Sequence, residues 1–82
     1  MSGVFKGKTP QTRLGADCRK LAKVIEGDYA IEAHELERAA ANLDMAAISL
    51  GATGERVKTL GSYYAAHQLY QSVADRTGQP KL

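Results

Sequence analysis

The sequence has no tryptophan, one phenylalanine, two prolines and one cysteine in 82 residues. Each shortage excludes something. A single thiol, Cys18, cannot close a disulfide within the chain, so the framework of small secreted domains is ruled out; a lone thiol fits a reducing setting. No apolar run approaches the roughly 18 residues of a membrane span. The opening stretch "MSGVFKGKTPQTRLG" lacks the apolar segment of a signal peptide, so the expected location is cytoplasmic, with no membrane partner. His34 and His67, with Glu37 one turn from His34, are the nearest approach to a metal-ligand set. A lone histidine on each of two helices is more often a packing or surface residue, and no metal is expected.

Catalytic signatures are equally scarce. Neither Ser49 nor Ser62 sits in a Gly-x-Ser-x-Gly context, and "LGATGE" lacks the lysine of a phosphate-cradling loop. The expectation is a protein that is not an enzyme and needs no cofactor. A chain this short buries only about 60% of the surface its unfolded form exposes. Without disulfide or metal, a second copy is the usual remaining support, so a homodimer is expected.

What the chain does have is segregated charge. Residues 1–24 carry Lys6, Lys8, Arg13, Arg19, Lys20 and Lys23 against Asp17. Residues 25–50 carry Glu26, Asp28, Glu32, Glu35, Glu37 and Asp44 against Arg38. A basic arm of this kind attracts phosphates or acidic partners, or docks on the chain's own acidic middle.

The pattern of elements is all-α: a bundle of three or four helices behind an irregular, flexible basic arm over residues 1–11. Thr12 is placed to cap a first helix whose apolar face is Leu14, Cys18, Leu21 and Ile25. Gly27 ends it and Asp28 is the candidate cap of the next. From Tyr29 to Leu50 there is either one helix or two, the second starting at Asp44; Leu36, Ala39, Ala40, Leu43, Ala47 and Leu50 share one face. Gly51 closes this region. Thr53 is placed to cap a last helix running to about Asp75, with Val57, Leu60, Tyr63, Tyr64, His67, Leu69, Tyr70, Val73 and Ala74 on a wide apolar stripe. The domain then spans residues 12–77, and residues 78–82 form a tail expected to fray.

Between Leu43 and Tyr64, Ala47 supplies a small residue where two helices cross. Gly51, four positions on, supplies a tight turn, and Val57, six further, supplies an aliphatic lock. This spacing resembles the helix-turn-helix superfamily of DNA-binding proteins. The resemblance implies a recognition helix from Thr53 whose outward Thr53, Arg56, Lys58, Thr59 and Ser62 meet DNA, with Lys6, Lys8 and Arg13 adding phosphate contacts. It implies a transcription regulator binding as a twofold dimer.

Tyrosine makes four of the five aromatic residues, and three lie on the last helix. Tyrosine suits half-buried interface positions. Tyr63, Tyr64, His67 and Tyr70 are therefore candidate contacts with a second copy or a larger protein. The alternative function is a small helical inhibitor or adaptor, of the kind phages and mobile elements encode, acting through that helix. A small-ligand site at a dimer seam is a third reading.

Overall fold

A computed structural model describes residues 11–82, so most of the expected basic arm, including Lys6 and Lys8, lies outside the described residues. The chain is all-α, with no strand among those residues. Helix α1 spans Arg13–Ile25, α2 spans Ala30–Leu50, a 3-10 helix spans Gly54–Thr59, and α3 spans Gly61–Thr77. The central element is α2, which packs on both α1 and α3.

Thr12 caps α1 as its side-chain chemistry dictates: Oγ1 accepts the Gly15 N–H at 2.9 Å. The expected face of Leu14, Cys18, Leu21 and Ile25 is buried throughout. The next start differs from expectation. Asp28 does not cap α2. Tyr29 stands at the cap position with no side-chain hydrogen bond, because Asp28 belongs to the turn, its N–H donating to the Ile25 carbonyl.

One continuous helix, not two, covers residues 30–50, and Asp44 does not start a fresh one. Its carboxylate turns inward instead. Oδ1 accepts the Thr12 backbone N–H and the Thr12 hydroxyl, each at 2.8 Å, and Oδ2 accepts Arg19 Nη1 at 2.8 Å. Asp44 is 4% exposed, the single buried polar residue of the described chain. It sits where the dipole of α1 favours an anion and extends the cap that Thr12 begins. Gly15 makes room for it. A Cβ at that position would lie 2.8 Å from Asp44 Oδ1 and 2.8 Å from Thr12 Oγ1.

Gly51 ends α2 in the left-handed region at φ 63°, and the Ala52 N–H reaches back to the Ala47 carbonyl at 2.9 Å. Leu50, expected on the inner face, is instead 65% exposed at the last residue of α2.

The expected helix from Thr53 to Asp75 is broken. Leu60 has extended backbone, φ −81° and ψ 141°, separating the 3-10 segment from α3. A straight helix could not both seat Val57 at the end of α2 and lay Ala66, Val73 and Ala74 into the core, and all four are buried. The stripe on α3 is covered from within the chain: Tyr63, Leu69 and Tyr70 also pack against the core. The tail makes hydrogen bonds back to α3. The Gln79 N–H donates to the Ala74 carbonyl at 2.8 Å, and the Leu82 N–H donates to Gln71 Oε1 at 2.9 Å.

Alanine dominates the core: Ala22, Ala33, Ala40, Ala47, Ala52, Ala66 and Ala74 lie among its fifteen apolar residues. Small side chains bring helix axes close but bury little apolar area each.

Two substitutions test this account. Helix propensity alone would make Gly15→Ala stabilising by about 1 kcal/mol. The collision with Asp44 and Thr12 should reverse the sign and cost about 2 kcal/mol in urea denaturation, and the cost should shrink in an Asp44→Ala background. A stabilised Gly15→Ala protein would show that the carboxylate is not held there. Gly51→Val should cost about 2 kcal/mol through backbone strain alone, since no atom lies within 4 Å of the added Cβ, while Gly51→Asn should cost much less. Equal losses for Val and Asn would contradict the left-handed assignment.

Candidate binding surface

The N-terminus of α1, the C-terminus of α2, the 3-10 segment and the start of α3 surround a hollow of about 770 Å³. Its floor is apolar: Leu14, Ala47, Ala52 and Val57 line it and are buried. Charges of both signs stand around it. Arg13 and Asp17 come from α1, and Glu55 and Lys58 from the 3-10 segment. Lys58 Nζ lies 3.3 Å from the Glu55 carboxylate, an exposed pair worth little. Tyr63 and His67, one turn apart on α3, stack with ring centroids 6.0 Å apart and present their side chains to the same hollow.

The fold thus brings together residues that the sequence assigned to two different roles. Arg13, Thr53 and Lys58, expected on DNA, and Tyr63 and His67, expected at a protein contact, all line this one depression. The others stand elsewhere. Arg56 and Thr59 are exposed on the 3-10 segment, where the Thr59 hydroxyl donates to the Arg56 carbonyl at 2.7 Å. Ser62 is half-buried. Tyr64 is exposed, and its phenol accepts a hydrogen bond from Gln68 at 2.9 Å. Tyr70 packs on the core, and burial, reinforced by the Asp17 carboxylate, raises its phenol above the usual range.

The more exposed apolar surface lies on a face the sequence reading did not single out. The outer side of α2 carries Ile31, Met45 and Ile48, 74%, 59% and 45% exposed. Ile31, Arg38 and Met45 recur every seven residues, as do His34, Ala41 and Ile48, so both rows run along one side of the helix. From Ala39 to Gly54 the only charged residue is Asp44, and Asp44 is buried. The outer half of the last three turns of α2 therefore carries no charge. This signal was present in the sequence as a second period on the same helix. The inner row of Leu36, Ala40, Leu43 and Ala47 obscured it.

Among the described residues, no group of three or more His, Cys, Asp or Glu side chains is placed to hold a metal ion, and no helix is long and apolar enough to cross a membrane. Cys18 is fully buried, and burial, with a smaller push from the Asp17 carboxylate, raises its thiol to about 11. A neutral, inaccessible thiol is a poor nucleophile. A thiol reagent at pH 8 should therefore label Cys18 only as fast as the protein unfolds. The unfolded chain loses this proton first, near 9.0, so stability should fall as pH rises from 9.0 towards 11 and level off beyond. Cys18→Ala should lack that component of the slope. Immediate labelling of the folded protein would contradict the burial.

In comparison with known proteins, the chain matches no family model, no curated protein and no solved structure.

Proposed function

We propose that this chain is a non-enzymatic binding protein that acts by docking another polypeptide on the outer face of α2. One observation carries the reading. The longest helix buries two large aliphatic side chains, Leu36 and Leu43, and leaves four exposed: Ile31, Met45, Ile48 and Leu50. A helix apolar on opposite sides is normally packed from both. Interface centres are depleted of charge and enriched in methionine, and the uncharged stretch around Met45 has that composition. Ile48 also borders the hollow, so the apolar surface continues from α2 towards Ala52 and Val57. An adaptor or inhibitor needs such a surface and no catalytic group.

DNA binding is the second reading, favoured by one specific feature. Ala47 and Val57 are buried and Gly51 is left-handed, the packing that a helix-turn-helix requires. It has less support because the segment after the turn is a six-residue 3-10 helix, short for a major-groove reader. The basic residue of α3, Arg76, also lies 3.6 Å from the Glu32 carboxylate.

A photo-cross-linking residue at position 45, in cells producing the full chain, should yield adducts with polypeptide. The same residue at position 72, on the exposed side of α3, should not. Fluorescence anisotropy with random duplex at low salt, where even non-specific binding is strongest, should stay flat. Saturable duplex binding without adducts at position 45 would favour the regulator instead.

A further inference from the structure

The same face of α2 also suggests what covers it. Resting on the docking surface proposed above, we infer that the occupant is a second copy of this chain, packed α2 against α2, antiparallel, about a twofold axis at Met45.

Three features point to this geometry. First, the surface is self-complementary. With Met45 opposite the partner's Met45, Ala41 lies opposite the partner's Ser49, and Asn42 opposite the partner's Ile48. Small residues flank the methionine, and neither copy buries a charge across the last three turns. Second, α2 has no basic residue in its last turn, leaving the negative end of its dipole without a cation from its own helix. Arg38 is exposed and has no ion-pair partner among the described residues. It lies seven residues before Met45, about 10 Å along the helix, and the partner's Gly51 lies about 9 Å beyond the partner's Met45. The antiparallel pair thus sets each Arg38 beside the C-terminus of the other α2. Third, the alternative orientation carries a cost. A parallel pair would gather Glu32, Glu35 and Glu37 of both chains at one end and align the two helix dipoles.

Sedimentation of the full chain over a concentration series tests the assembly. The wild type should pass from 8.8 kDa to twice that mass. Met45→Glu should stay at the single-chain mass with unchanged helical circular dichroism, since the side chain is already exposed. Arg38→Ala should weaken the dimer several-fold and reduce its salt sensitivity, whereas Tyr64→Glu on α3 should leave it intact. Orientation is read from disulfides: Ala41→Cys mixed with Ser49→Cys should cross-link as a hetero-pair, while Ala41→Cys alone should not.

A folded wild type at single-chain mass throughout would overturn the inference. So would a dimer indifferent to Met45→Glu, or one cross-linked through Ala41→Cys alone. Single-chain mass together with a foreign polypeptide on the position-45 cross-linker would overturn the self-pairing and leave the docking surface standing. Single-chain mass with no adduct would remove both.

Discussion

The bundle is organised around one buried carboxylate. Asp44, in the middle of α2, accepts from the backbone and hydroxyl of Thr12 and from the guanidinium of Arg19. Those groups lie on the first turns of α1, so the interaction sets the height and rotation of α1 against α2. A carboxylate taken out of water is costly unless its lone pairs are filled and its charge is balanced. Here both conditions are met, and no buried side-chain polar atom among the described residues lacks a partner. The constraint extends to Gly15, whose missing Cβ is the space Asp44 occupies. Removing any member leaves a buried polar partner without its counterpart, which is destabilising.

The alanine-rich core has consequences for function. Ala33, Ala40 and Ala47 are small residues of the buried face of α2, and small side chains let helix axes approach closely. The same choice leaves modest apolar area inside. Large aliphatic side chains that would enlarge a core are found on the opposite side of α2, where the chain has nothing to cover them. The outer face of α2 is thus apolar surface that the described chain leaves uncovered, and the proposed docking rests on it. The α3 stripe, which also looked too wide for so small a domain, is largely covered from within the chain: Tyr63, Leu69 and Tyr70 pack against the core, and Tyr64 is left exposed.

Local chemistry made several elements legible in advance. The Thr12 cap, the four-residue and three-residue spacing of Leu14, Cys18, Leu21 and Ile25, and the left-handed Gly51 are each decided within a few residues, and each is found in the fold. Other features misled for the same local reason. Asp44 resembles a helix cap, because Asp favours caps whenever its carboxylate has only its own backbone to bind. Thr53 resembles the start of a long helix because helix formers follow it, although Gly54 and Gly61 bracket the segment that breaks.

The sequence by itself determined the helical class, the capped start of α1, the close of α2 at Gly51, and the charge segregation between the first two helices, because caps, periodicity and composition act over one or two turns. Only the tertiary structure decided that Asp44 points inward to α1, that the chain breaks at Leu60, and that Arg13, Thr53, Lys58, Tyr63 and His67 share one hollow. It also decided which of two apolar rows on α2 is left outside. Those outcomes depend on which surfaces meet, and contacts between residues dozens of positions apart, such as Thr12 with Asp44, leave no trace in local spacing.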